Sequence, residues 1–549
     1  MIVSTMQEGA LTTQLLVDRM TSIHAHKRVF VGVDRDISPR TFAETAARTR
    51  RVAGWMLASG LREGDCVATL LWNCHEHLEL FLAVPSVGCV LHTINTRLSA
   101  ETINAMLAET RPRALFVDVG MAQLFEALTL PAETTMVVGV SPSGTRPAMA
   151  SDSPVLDYTT VMAAATPLTR WPMLKEQQAC AICYTSGTSG KSKGVVYSHR
   201  SAILHAIAML GVDAIAMSEK DVCFPIVPMF HALGWGFPYA ACMSGAELVF
   251  SYRNSDPASI AHLVHTCDVT LATAVPTVWS GVLDAVRRGD VNETDLKSLR
   301  RLPIGGAAVS EDLVSGFEAM GISVQHCWGM TEVSPLGLVS SRRAGVSDEE
   351  WRALRMTPGM PLPGCELRVI SEQGHEVPRD GRSPGELQAS GPWVTGAYFD
   401  PASSDGHSGA GSFVTDGRGQ AWLKTGDVAT WDTRGYVRIV DRAKDLIKSG
   451  GEWISSIELE SALCTHPAVS EAAVVPIPDS HWQERPLAYV SLVRDWPGQE
   501  PDLKGFLAAR LPKWQVPDRV IVLLELPKGA TGKIDKRRLR QLAASAPVA

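Results

Sequence analysis

The residues from Thr185 to Gly194 combine glycines, hydroxyls and lysines in one short run. Gly187 and Gly190 let the backbone turn tightly and present N–H groups to an anion. Thr185, Ser186, Thr188 and Ser189 add hydroxyl donors, and Lys193 adds charge. A triphosphate is the natural ligand for such a loop. A Walker A loop, G-x-x-x-x-G-K-[ST], is the main rival. Gly190, Lys191 and Ser192 supply its end, but its first glycine would fall on Thr185. The only Walker-B-like run, ending at Asp118, lies upstream. A plain polar linker explains neither the two lysines nor the setting. An apolar strand, Ala179–Tyr184, precedes the loop, and an apolar helix from about Ser201 follows it.

Further motifs follow in order: Pro228–His231, Gly305–Ala308, Trp328–Glu332, Gly359–Gly364, Thr425–Asp427, Asp441–Lys448 and Gly532–Lys533. With the glycine-rich loop they span nearly the whole chain. The set resembles the adenylate-forming superfamily of acyl-CoA synthetases, firefly luciferases and peptide-synthetase adenylation domains. Pro228–Trp235 and Trp328–Glu332 are most similar to the medium-chain and methylmercaptopropionate-type CoA ligases. The resemblance implies attack of a carboxylate on the α-phosphorus of ATP, with pyrophosphate leaving, and transfer of the acyl-adenylate to CoA. Both first reactants are anions, so the site must neutralise charge and hold them in line.

The same resemblance implies the roles. Lys533 reaches the carboxylate and the α-phosphate, and Thr331 donates to that phosphate. Glu332 is the Mg²⁺ ligand, since a hard cation between phosphate oxygens needs a carboxylate. Asp427 accepts both ribose hydroxyls, and Arg442 adds a ribose or phosphate contact. Gly305, Gly306 and Ala307 let adenine lie against backbone, with Trp328 stacked on its face and Gly329 beside it. His231 serves the chemistry and lines the acyl pocket with Trp235 as its gate; Ala274–Trp279 forms another wall. Lys444 marks a hinge, and Lys448, Gly450 and Gly451 form the CoA side in a second pose. Taken singly, Lys533 reads as a solvated lysine of a basic tail, Glu332 as a helix-start acid and Asp427 as a turn residue. Three positions depart from the commonest pattern: Ser192 replaces a proline, Trp328 a tyrosine and Gly529 a Thr or Ser.

The elements that carry these residues alternate. A helix spans about Glu44 to Ser59, and strands follow at Cys66–Trp72, Ala114–Asp118 and Thr135–Gly139. That rhythm predicts an α/β protein with parallel sheets covered by helices. Ser141–Ser153 and Asp400–Gly419 read as loops, the second as a surface insertion. Beyond about 441 the texture changes. Ser455 and Glu458 fit a capping box, with strands at Glu471–Pro476, Leu487–Val493 and Arg519–Leu526 and a helix carrying Leu503, Phe506 and Leu507. The expected architecture is a large N-terminal domain of stacked mixed and parallel sheets covered by helices (1–441), plus a small mobile C-terminal α/β domain (442–549).

Composition narrows the class. Of 549 residues, 45% are hydrophobic and 20% charged, as in a globular protein. A net charge of -7 argues against sequence-independent nucleic-acid binding. No basic n-region precedes an apolar run at the start, and no stretch is long and apolar enough to span a bilayer. Eleven scattered cysteines fit a reducing, cytoplasmic setting, and the Cys180/Cys183 pair reads as buried strand thiols. The reading is therefore an ATP-, Mg²⁺- and CoA-dependent ligase of a short- to medium-chain carboxylic acid, with a homodimer left open. The alternative is an adenylating enzyme that passes its acyl group to a carrier protein, an amine or another acceptor.

Overall fold

The computed structural model describes residues 2–142, 155–185, 192–404, 406–409, 411–450, 452–493, 496, 501–529 and 533–545. Its strands form because short apolar runs are buried on both faces, as parallel pairing under helices requires. Ala114–Asp118 is buried throughout and pairs in parallel with Cys66–Leu70 and Met136–Val140. The helix Phe42–Ala58 starts at Thr41, which exchanges hydrogen bonds with Glu44 in a capping box. It turns Val52, Ala53 and Met56 into the core.

Among the described residues there are four sheets. The first runs, edge to edge, from Met360–Pro361 through Leu336–Val339, Ser323–Gly329, Arg301–Gly305, Leu271–Thr273, Val222–Pro225, Glu247–Phe250 and Arg28–Val33 to Asp36–Thr41. Its interior is parallel and its edges antiparallel. The second is also parallel inside but antiparallel at one edge only, and centres on Cys66–Leu70, Val90–Thr93 and Ala179–Tyr184. A third, antiparallel sheet holds Gly385–Ser390, Ala421–Trp431 and Val437–Arg442. The fourth is built on Val469–Asp479 and Gln483–Leu492, with Arg519–Val522 added in parallel. It has its own cores, around Ile447, Leu459 and Val474 on one face and Val475, Leu487 and Leu539 on the other. Ser456 N–H donates to Asp441 Oδ2 at 2.6 Å and Ser455 Oγ to the Val440 carbonyl at 2.7 Å, which ties the helix Ser456–Cys464 to the third sheet.

The helix expected from about Ser201 is present, with a strand between it and the glycine-rich loop. The strand Gly194–Ser198 returns antiparallel to Ala179–Tyr184, and the helix His199–Met209 starts only after it. The loop thus joins two antiparallel strands. The stretch from Asp400 to Gly419 is not all loop: His407–Ser408 pairs with Tyr398–Phe399, and Phe413–Thr415 edges the third sheet. Ser455 caps one way only, accepting from Glu458 N–H at 3.1 Å while its own hydroxyl goes to Val440. Most of the predicted loop Ser141–Ser153 lies outside the described residues. Cys180 and Cys183 are buried free thiols, as expected. No helix among the described residues is long and apolar enough to cross a membrane.

Gly329 ends its strand where the pairing with Leu336–Val339 shifts register. A Cβ there would lie 1.8 Å from the Pro335 carbonyl oxygen, which is backbone and cannot move aside. Gly329→Ala should therefore cost about 1–3 kcal/mol in a chemical denaturation experiment. An unchanged midpoint would show that the turn at Pro335 relaxes freely.

Candidate active site

A cavity of about 1850 Å³ opens where the carboxyl ends of the parallel strands converge. Thr93, Tyr184, Ile226, Ala274, Gly305 and Trp328 reach it from those ends. Open α/β sheets bind ligands at that edge because the loops there leave a crevice.

The stem of the glycine-rich hairpin is pinched shut. Thr185 N–H donates to the Lys193 carbonyl at 2.9 Å, and Lys193 N–H donates to Thr185 Oγ1 at 3.1 Å. Ser186, Gly187, Thr188 and Ser189 lie outside the described residues. The Lys193 ammonium sits 4.3 Å from the centre of the Tyr398 ring. The Tyr398 hydroxyl donates to Glu332 Oε1 at 2.8 Å. Glu332 is 7% exposed, and burial pushes its carboxyl up while Tyr398, Arg442 and Lys193 oppose the rise. The adjacent Thr331 carbonyl accepts from the Tyr197 hydroxyl at 2.7 Å. Glu332 thus stands in a short 3₁₀ turn, Thr331–Val333, and not at the start of an α-helix.

Asp427 is 5% exposed on the strand Ala421–Trp431. Its Oδ2 accepts from the Trp328 indole at 2.7 Å, and Arg442 Nε lies 3.4 Å from its Oδ1. Arg442 faces it across the sheet in register. Gly305 pairs with Cys327, and a Cβ on it would come within 2.8 Å of the Cys327 carbonyl oxygen. Gly306 has φ +85°, and a Cβ there would meet Lys533 Cε at 3.2 Å and Trp235 Cζ2 at 3.5 Å. The lysine stem and the indole therefore converge over the bare backbone of Gly306. The Lys533 ammonium has no hydrogen-bond or ion-pair partner among the described residues, while its carbonyl accepts from Gly529 N–H at 2.8 Å. Burial and the nearby Arg442 push its amine down to about 8, with Asp427 pulling the other way.

Pro228–Trp235 supplies the opposite wall. His231 Nε2 is buried without a hydrogen-bond partner among the described residues. Burial, with Arg97 and Lys533 adding to it, pushes that imidazole down to about 3, so it is neutral at pH 7. Ala232, Leu233, Gly234, Trp235 and Gly236 all have positive φ, from 42° to 75°. This is a left-handed turn, which costs about 1–2 kcal/mol at each non-glycine residue. Such strain persists only where its surroundings enforce it. A Cβ on Gly236 would sit 2.6 Å from the buried His205 ring, so Trp235 is braced from behind. Ala274, Val275, Pro276 and Val278 line the cavity, whereas Trp279 is fully buried against Phe317 and belongs to the core.

The description AMP-binding enzyme matches residues 19–399, and AMP-binding enzyme C-terminal domain matches 458–533. The chain belongs to the AMP-binding enzyme family. It is 40% identical over 546 residues to a long-chain-fatty-acid–CoA ligase of Thermus thermophilus, covering 98% of this chain and 96% of that one. It is 38% identical over 543 residues to a 3-methylmercaptopropionyl-CoA ligase of Ruegeria lacuscaerulensis, covering 97% and 98%. The crystal structure of ATP-bound MatB from Rhodopseudomonas palustris superposes with a TM-score of 0.81 at 25% identity, over 97% of this chain and 99% of that one.

In this family member, Thr331, His231, Trp235, Gly305, Gly306, Ala307, Trp328, Gly329, Arg442, Lys444 and Lys533 all border one cavity. Glu332 and Asp427 stand just behind it, covered by Tyr398 and Trp328. Lys448 and Gly450 are not in the cavity wall. Lys448 covers Trp453 and its N–H donates to Glu484, while Gly450 packs on Trp482. Gly451 lies outside the described residues. Sequence reasoning missed Tyr398, Tyr197 and Gly337, whose roles come only from pairing and contact. Among the described residues no three or more His, Cys, Asp or Glu side chains cluster as a metal site. One buried carboxylate, Glu332, fits Mg²⁺, which keeps waters and takes phosphate oxygens rather than a protein cage.

Competitive labelling of lysines with an amine-reactive ester should give Lys533 a midpoint near pH 8, against 10.5 for an ordinary lysine. Asp427→Asn removes the charge that raises it, so the midpoint should fall further. A midpoint near 10.5 would mean that the amine is fully hydrated.

Proposed function

We propose that this protein is an ATP-dependent carboxylate–CoA ligase. The observation that carries the reading is the ammonium of Lys533, from the C-terminal part of the chain, lodged over Gly306 beside Arg442 and His231. An acid oxygen attacks the α-phosphorus of ATP. A new C(O)O–P bond forms, the Pα–O–Pβ bond breaks, and pyrophosphate leaves. Lys533 offsets the charge of both anions, which is worth most where water is excluded. Thr331 donates to the α-phosphate. Asp427 and Arg442 hold the ribose, and the bare backbone at Gly305–Ala307 receives the base. The hairpin around Lys193 holds the outgoing phosphates. Glu332 would hold Mg²⁺, which when bound neutralises phosphate charge. His231, neutral and with an unused Nε2, donates to the acid's carboxylate at the floor of the acyl pocket.

In the second step a CoA sulfur attacks the acyl carbonyl and AMP leaves. Lys533 fills the approach in the pose described, so we infer rotation of residues 442–549 about Lys444, against 1–441. That motion would bring Lys448, Gly450 and Gly451 to the cavity. The curated relatives are named as CoA ligases, which supports CoA over a carrier protein or amine. They span a long-chain acid and a short thioether acid, so we propose an aliphatic or thioether acid, short to medium in length. Eleven free cysteines, nine of them buried, support a cytoplasmic setting.

Pyrophosphate release over a panel of short, medium, long, thioether and aromatic acids, with and without CoA, tests this. Sustained release only with CoA is expected; release indifferent to CoA would point to another acceptor. Light scattering on the same sample decides between monomer and homodimer. Lys533→Ala should abolish adenylate formation by at least a thousandfold, about the scale of one transition-state donor, yet leave thioester formation from supplied acyl-adenylate largely intact. Equal loss of both would argue against rotation. Trp235→Ala should shift acid-length preference while leaving the KM for ATP within about twofold, since the residue faces the acid and not the phosphates.

A further inference from the structure

We propose that Trp328 is a ribose-positioning residue: it orients the Asp427 carboxylate and thereby sets how strictly the site demands a ribonucleotide. The inference rests on the nucleotide reading above and adds to it a role that stacking on adenine does not contain.

The indole is pinned at both ends. At its pyrrole edge, Nε1–H donates to Asp427 Oδ2 at 2.7 Å. A hydrogen bond to an ionised, buried acceptor is among the stronger ones. At its benzo edge, a Cβ on Gly337 would sit 2.7 Å from Cζ3 and 3.0 Å from Cε3. Only a glycine leaves room for the ring on that neighbouring strand. Trp328 and Gly337 lie on paired antiparallel strands, so the seat is fixed by the sheet.

Asp427 is held from the backbone side as well. Its N–H donates to Thr425 Oγ1 at 3.1 Å, and Arg442 Nε lies 3.4 Å from Oδ1. The plane of the carboxylate is set by Arg442 at Oδ1 and by the shorter Trp328 bond at Oδ2. An ionised carboxylate has about four acceptor positions. The indole takes one on Oδ2, and the others keep a fixed direction. Two vicinal hydroxyls on one ribose need such fixed acceptors, because neither can move without the other. A tyrosine or phenylalanine at 328 would still offer a flat face to a base. Neither carries an N–H at the edge that meets Asp427. The two roles of Trp328, facing the base and aligning the carboxylate, are therefore separable.

The test measures binding of AMP, 2′-deoxyAMP and 3′-deoxyAMP by calorimetry, with thermal melts as a control on folding. Wild type should prefer AMP over both deoxy forms. Trp328→Phe should reduce that preference about tenfold, the scale of one hydrogen bond to a charged group. Asp427→Asn should remove the preference, and the double variant should lose nothing more. Gly337→Ala pushes the indole from its other end and should also reduce the preference, which covers the case in which Trp328→Phe does not fold. Equal weakening of all three nucleotides by Trp328→Phe, with the preference intact, would overturn the proposal, as would a wild type that binds AMP and 2′-deoxyAMP alike. A wild type that binds no AMP at all would instead overturn the proposed function itself.

Discussion

A cation must stand where two anions are to meet. Lys193 lies over Tyr398, and Arg442 lies beside Asp427. Lys533 arrives from the C-terminal segment with its ammonium unclaimed among the described residues and its stem over Gly306. The rest of the architecture follows from that arrival. Gly306 must lack a side chain for the lysine stem to pass, and Trp235 must stand where it closes the other flank. Burial lowers the amine's basicity, which is the energetic consequence of holding a charge in a pocket built to receive other charges. The proposed two-step reaction gives the same lysine a reason to leave.

Around that point the site is held by backbone, not by flexible side chains. Gly305 and Gly329 lie against carbonyl oxygens, and Gly337 seats the indole of Trp328. The left-handed turn from Ala232 to Gly236 carries Trp235 and packs Gly236 against a neutral, buried His205. Strained turns of this kind are retained where a side chain must be presented at one angle. The hairpin form of the glycine-rich loop has a related consequence. The chain leaves the loop as the strand Gly194–Ser198, and the next helix starts only at His199, so no macrodipole of that helix points at the loop. That separates it from P-loop architecture on physical grounds as well as on spacing.

Much of this was legible in the residues. Strands such as Ala114–Asp118 and Ala179–Tyr184 have matching bounds in the structure because short apolar runs between turns admit few alternatives. The motif residues carry their chemistry in their types: a lysine among glycines, a carboxylate after a threonine, a histidine in an apolar run. Less legible were contacts that join distant strands. Nothing in the sequence links Trp328 to Asp427 or Tyr398 to Glu332, because those bonds depend on register between strands far apart in the chain. Trp279 was misassigned to the pocket because an apolar run does not reveal which face it turns inward.

The sequence by itself determined the family, the order of elements and the inventory of charged groups, since local composition and spacing settle those. Tertiary structure alone decided which groups are paired and which remain available. It covered Glu332 and Asp427 with aromatic donors, set the Lys533 stem over Gly306 with its ammonium unpaired among the described residues, and kept Lys448 out of the cavity wall. The physical reason is that pairing and desolvation are set by neighbours in space, and strand register and packing, not chain order, choose those neighbours.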